Sequence, residues 1–147
     1  MYTVDTSVWV NSFDQREPGH AISRQWLQQL AGQTIPIFVP HLLLVEVAGA
    51  ISRTRQDVAQ AQAFAKALSQ LPNVTFMALD ETLALHALML AAQHGLRGAD
   101  AVYAAVALQE NCTLISLDKE HLTRLTTVVQ VQTPAEVLSS LVPPQLT

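Results

Sequence analysis

Four carboxylates in this 147-residue chain stand among apolar neighbours. Asp5 ends the run Tyr2-Thr3-Val4. Glu46 sits inside Leu42-Leu43-Leu44-Val45-Glu46-Val47-Ala48. Asp100 opens the stretch Ala101-Val102-Tyr103-Ala104-Ala105, and Asp118 follows Thr113-Leu114-Ile115-Ser116-Leu117. A buried carboxylate is costly unless a positive group pairs with it, and no Lys or Arg lies inside these segments. A hard divalent cation would satisfy them. Oxygen-only ligands suit Mg²⁺ or Mn²⁺ rather than zinc or copper. Carboxylates brought close repel and raise each other's pKa, and a cation reverses both tendencies. Mg²⁺ takes one or two carboxylates directly and keeps several waters. Four acids can therefore hold one or two ions and leave room for a substrate. In nucleases, paired ions about 3.5–4 Å apart clamp the attacking and leaving oxygens.

Three of the acids also have a plainer reading. Asp5 or Ser7 can cap a helix that starts near Val8, Asp118 can cap the turn after it, and Asp100 stands near a helix start. A lone exposed Glu in a helix is common, but Glu46 lies mid-helix, too late for a cap and with apolar residues on every side, a placement that usually faces a pocket or a partner. Thr6, Ser7 and Ser116 can orient a water in such a site, or simply satisfy the backbone of their turns.

The elements that must position these residues alternate between short β-rich runs and longer helical ones. Strands are expected at Tyr2–Asp5, Ile35–Val39, Val74–Ala78, Thr113–Ser116 and Val128–Val131. Helices are expected at Ser7–Phe13, at His20–Ala31 with Ile22, Trp26, Leu27 and Leu30 on one face, and from Pro40 to about Arg53. Further helices follow from the cap Asp57 through Ser69, from the cap Asp80 to Gly95, and over Asp100–Glu110. A short helix or turn at Asp118–Arg124 and a last helix from Thr133-Pro134 to about Leu141 complete the order. Strands separated by helices imply right-handed crossovers and a parallel sheet covered on both faces, and near-pure apolar strands agree. The fold class is α/β: a three-layer α/β/α domain around a central, mainly parallel, five-stranded sheet. In such sheets sites form beyond the carboxyl ends of the strands, where Asp5 and Asp118 both lie. Residues 1–142 read as one domain and residues 143–147 as a short tail.

Half of the residues are hydrophobic and only 14% are charged, which excludes a disordered chain and points to an apolar surface covered by self-association. The net charge of −4 argues against a general nucleic-acid binder. Two bound divalent cations would offset it. Arg53, Arg55, Arg97 and Lys119 lie near the acids in sequence and read as solvated surface residues. The single cysteine, Cys112, excludes an internal disulfide, and the five scattered histidines have no zinc-ligand spacing. With no charged leader and no apolar run long enough to span a bilayer, a cytoplasmic location is expected.

The segments Thr3-Val4-Asp5-Thr6-Ser7-Val8, Val45-Glu46, Gly98-Ala99-Asp100-Ala101 and Leu114-Ile115-Ser116-Leu117-Asp118 resemble those of the PIN domain family, in order and over essentially the whole chain. The branch most similar is the VapC-type toxins of bacterial toxin–antitoxin pairs. The resemblance implies a Mg²⁺- or Mn²⁺-dependent endoribonuclease acting on RNA. It implies that Asp5, Glu46, Asp100 and Asp118 form the acidic, metal-holding cluster and that Ser116 matches the family's Ser/Thr before the last Asp. It also implies a homodimer and a small antitoxin partner. Leu117 stands where the family often has a polar or basic residue.

Three other readings compete. A non-catalytic PIN-like module would bind RNA or protein without cleaving. A receiver-like signalling domain would want paired acids after the first strand and a Lys after the fifth; the chain has Thr6-Ser7 after Asp5 and no Lys near Val131. An Asp-x-Asp phosphatase is opposed by Ser7. Trp9, Phe13, Trp26 and Tyr103 can stack on bases, although their helical placement favours packing.

Overall fold

The computed structural model describes residues 1–141, with side chains described through residue 140; the expected tail at 143–147 lies outside the described residues. The elements run β1 (Tyr2–Val4), α1 (Thr6–Phe13), α2 (His20–Gly32), β2 (Ile37–Pro40), α3 (Leu42–Arg55), α4 (Val58–Ser69) and β3 (Val74–Met77). They continue with α5 (Glu81–His94), α6 (Gly98–Gln109), β4 (Thr113–Ile115), α7 (Lys119–Arg124), β5 (Val131–Gln132) and α8 (Pro134–Leu141). The sheet order is β3-β2-β1-β4-β5, and every pair is parallel. The expected three-layer α/β/α architecture is the one observed.

The sheet is covered on both faces, since the adjacent residues Thr3 and Val4 point to opposite sides and both are fully buried. Helix α6 lies against β2, β1 and β4 with α5 beside it, while α1, α2, α3 and α4 form a contiguous group that α8 joins through α2. Seven consecutive residues of α6, Ala101 to Ala107, are buried. A helix apolar all round belongs inside a domain, and its alanines let neighbouring backbones approach. Trp26 is fully buried, and its ring meets Tyr2 edge-on at 5.3 Å. Trp9 donates from Nε1 to the Val4 carbonyl, and Phe13 meets Phe64 edge-on at 4.9 Å. These aromatic side chains pack the core.

Most element ends follow their sequence signals. Asp57 and Asp80 cap α4 and α5 by accepting from the backbone amides of Gln60 and Leu83. Gly95 ends α5 at φ +63°, where a side chain would be strained. Thr133 and Glu136 form a reciprocal capping box at the start of α8.

Four expectations are corrected. Pro40 ends β2 instead of opening α3. The odd-numbered amides of this stretch donate toward β3, as from His41 to Met77, so the missing donor of Pro40 falls on the other edge and no bond to β3 is lost. The strand expected at Val128–Val131 is confined to Val131–Gln132, because the amides of Val128 and Val129 both donate to the Leu125 carbonyl in a turn. Helix α6 begins at Gly98, which places Asp100 inside the first turn rather than at its start. On α2 the buried positions are Ser23, Trp26 and Leu30, and Ile22 is 42% exposed, one position off that stripe.

Candidate active site

The ends of β1 and β4 are neighbours. Val4 pairs with Ile115, and the Asp5 amide donates to the Ile115 carbonyl at 2.9 Å. The chain leaves β1 toward β2 on one side while β4 lies on the other, so Asp5 and Ser116 emerge together where the strand order reverses. Asp5 is 5% exposed and N-caps α1. Its Oδ2 accepts from the Ser7 amide at 3.1 Å, the Ser7 hydroxyl at 2.6 Å and the Ser116 hydroxyl at 3.2 Å. The cap reading and a chemical role coexist here, because the cap uses one oxygen only.

Three further elements bring in the remaining acids. Helix α3 carries Glu46 to Thr6 and Tyr103. Its Oε2 accepts from Thr6 Oγ1 at 2.7 Å and from the Tyr103 hydroxyl at 2.8 Å. Burial, reinforced by the Glu46 charge, pushes the Tyr103 phenol well above its ordinary value, so it stays a neutral donor. Helix α6 carries Asp100 one turn before Tyr103. Asp118 N-caps α7 by accepting from the Glu120 amide at 2.8 Å through Oδ1, and its own amide donates to Ser116 Oγ at 3.0 Å. The Leu117 amide donates to Ser7 Oγ at 3.0 Å.

His121 joins the acids on the inside. Its Nε2 lies 2.6 Å from Asp100 Oδ1 and its Nδ1 2.9 Å from Ser116 Oγ, with Asp5 Oδ2 3.6 Å away. Burial alone would lower its pKa; the Asp100 hydrogen bond and the charges of Asp5, Asp100 and Asp118 outweigh that and raise it. The protonated ring satisfies every neighbour: Nε2–H donates to Asp100, Nδ1–H donates to Ser116, and the Ser116 hydroxyl is freed to donate to Asp5. Outside the cluster, Arg97 Nη2 meets Glu120 Oε2 at 2.6 Å, a second link between α6 and α7.

Asp5, Asp100, Asp118 and Ser116 thus belong to one hydrogen-bonded network through Ser7 and His121, whereas Glu46 forms a separate one with Thr6 and Tyr103, and the four acids do not form a ready-made cage. Among the described residues no three His, Cys, Asp or Glu side chains are grouped so as to hold a metal ion. Hydroxyls, amides and the imidazole each claim one oxygen of a carboxylate. One oxygen of each acid is left over. Asp5 Oδ1, Glu46 Oε1, Asp100 Oδ2 and Asp118 Oδ2 have no hydrogen-bond partner among the described residues, and none is a fully buried orphan. Carboxylate oxygens are hard ligands of the kind that hold a divalent cation.

Sequence reasoning missed His121, whose partner Asp100 is brought to it by the fold alone. The retrospective signal is its spacing, three residues after Asp118 in a helical turn, which puts both on one side. It also misread Arg55. That side chain is an ion-pair partner of Asp14 at 2.8 Å, not a solvated surface group.

The PIN domain profile matches residues 2–126. The chain belongs to the PIN domain family. Solved PIN-fold structures agree in architecture. FitAcB from Neisseria gonorrhoeae matches with a TM-score of 0.69 at 20% identity, covering 92% of this chain and 99% of that one. VapBC2 from Rickettsia felis, solved bound to a DNA fragment from its promoter, matches at 0.67 with 18% identity, covering 90% and 97%. VapC20 from Mycobacterium tuberculosis, described as a Sarcin-Ricin loop cleaving toxin, matches at 0.66 with 18% identity, covering 80% and 90%. No curated protein sequence matches the chain. Among the described residues no helix is long and apolar enough to cross a membrane.

Proposed function

We propose that this PIN domain is a Mg²⁺- or Mn²⁺-dependent endoribonuclease of the VapC type, the toxin of a toxin–antitoxin pair. The observation that carries the reading is the set of four carboxylates at the β1/β4 switch point, each anchored through one oxygen and free at the other. A bound divalent cation supplies polarisation of the scissile phosphate and of the attacking water. The chain's own residues supply orientation. Thr6 and Tyr103 hold Glu46, Ser7 and Ser116 hold Asp5, and the Glu120 amide holds Asp118, so these carboxylates need no reorganisation to bind or to take up a proton. RNA is chosen by loop shape and single-stranded access, because an A-form major groove admits no side chains.

Two partners belong to the same reading. Leu85, Leu88 and Met89 of α5, with the preceding Leu79, are all more than half exposed and offer an apolar face for a second copy of the chain. A small antitoxin is supported by neighbours solved as toxin–antitoxin complexes, among them one from Klebsiella pneumoniae. A cytoplasmic location goes with that role.

The test is cleavage of structured RNAs by purified protein in EDTA, Mg²⁺ or Mn²⁺, beside Asp5→Asn and Asp100→Asn. Metal-dependent cleavage that falls by at least about 100-fold in both variants is expected, beyond the loss typical of outer-shell groups. Equal cleavage by the variants would place the activity elsewhere. No cleavage of any RNA would favour the non-catalytic binding module.

A further inference from the structure

We propose that His121 is the positioning residue of the acidic site, fixing the direction in which Asp100 presents its free oxygen. The proposal rests on the metal-site reading above and concerns which residue makes that site precise. His121 is the only buried residue of α7, at 3% exposure. Its ring spans from Asp100 on α6 to Ser116 after β4.

The other three acids have holders of their own. Asp5 is held by Ser7 and Ser116, Glu46 by Thr6 and Tyr103, and Asp118 by the Glu120 amide. Asp100 has one hydrogen-bond partner among the described residues, and it is His121. A carboxylate in the first turn of a helix otherwise rotates freely about its side-chain torsions. With Oδ1 tied at 2.6 Å, Asp100 is left one oxygen and one direction. Ser116 anchors the far side of the ring, so the imidazole cannot swing away with its partner. An outer-shell group of this kind sets ligand geometry without touching the substrate.

The side chains that dissect this are Phe, Gln and Asn. Phe keeps the volume and loses both bonds. Gln reaches as far as Nε2 and retains the bond to Asp100. Asn reaches only as far as Nδ1 and retains the bond to Ser116. The measurement is Mn²⁺ affinity of the full chain by calorimetry, with kcat and KM for RNA cleavage beside it. His121→Phe is expected to weaken Mn²⁺ binding by about 10–100-fold, the range for groups that orient ligands, and to lower kcat while KM holds. His121→Gln restores most of the affinity and His121→Asn does not. Wild-type affinity in His121→Phe overturns the proposal and leaves the metal-site reading standing. If the Phe variant does not fold, equal affinities in the Gln and Asn variants overturn it. A wild-type protein that binds no Mn²⁺ overturns both.

Discussion

Asp5 and Asp14 flank the same helix, one as its N-cap and one as its C-cap, and both are nearly buried, at 5% and 6% exposure. They are satisfied in opposite ways. Asp14 has both oxygens closed by guanidinium groups: Arg16 through Nε and Nη2, and Arg55 through Nη2 at 2.8 Å. The Arg16 side-chain bond first, then the Arg16 amide, with the Arg55 charge adding less, hold its carboxyl down at about 2. Arg55 is itself steadied over the Phe13 ring at 5.8 Å. Asp5 has one oxygen closed by hydroxyls and an amide, and one open. On the proposed function, the difference separates a structural acid from one kept for a ligand. Full closure by fixed cations stabilises the fold and excludes a metal; partial closure by hydroxyls and an amide, with His121 3.6 Å away, orients the group and leaves one oxygen open.

The contrast can be broken most directly with the metal itself. Mn²⁺ at about 100 times its Kd should stabilise the wild type by about 2.7 kcal/mol, a rise in melting temperature of roughly 5–10 °C for a chain of this size. Asp5→Asn should lose most of that rise, whereas Asp14→Asn should keep it in full. Thermal melts with and without EDTA decide this, and a metal response lost in Asp14→Asn would erase the distinction.

Next in size is the effect without metal, which should differ in sign. Asp14→Asn strips two arginines of their partner and lowers the urea midpoint at pH 7. Glu46→Gln keeps its hydroxyl donors, removes a like charge from the cluster and should leave the midpoint unchanged or higher. The Asp14 contribution should also follow pH. Its folded pKa, about 2, lies below the ordinary 3.8, so its stabilisation is complete above 3.8 and is lost as pH falls toward 2. The gap between wild type and Asp14→Asn should be constant at neutral pH, narrow below about pH 4 and close near pH 2. A gap that persists at pH 2 would assign the loss to packing. The smallest effect should be that of Arg16→Gln, because that side chain is 65% exposed and solvent screens its pair. A drop in urea midpoint as large as that of Asp14→Asn would make Arg16, not Arg55, the partner that matters.

Much of this arrangement was legible before the fold was known, for a physical reason. A sheet buried on both faces needs apolar strands, so an Asp just after such a run marks the carboxyl end of a strand and a candidate site at once. Asp5 and Asp118 are candidates for that reason. Glu46 was legible because a mid-helix carboxylate has no cap to serve. The sequence was silent where partners lie far apart along the chain. His121 meets Asp100 and Arg55 meets Asp14 only after the helices have packed. It misled where two local codes coincide. Pro40 suits a helix start and a strand edge equally well, and Val128-Val129 read as a strand until Leu125 captured their amides. Ile22 shows the same limit, since a one-residue phase error on a helix moves a side chain from core to solvent.

The seven buried residues that follow Asp100 give the proposed metal site one rigid wall. Sliding α6 would drag Ala101 to Ala107 out of their packing against the sheet and open voids along the whole core. The site can therefore adjust to an incoming ligand from the side of α7, six residues tethered to that wall by His121 within and by the Arg97–Glu120 pair without. Cutting the outer tether should loosen that short helix and widen the site's entrance while the wall keeps its place.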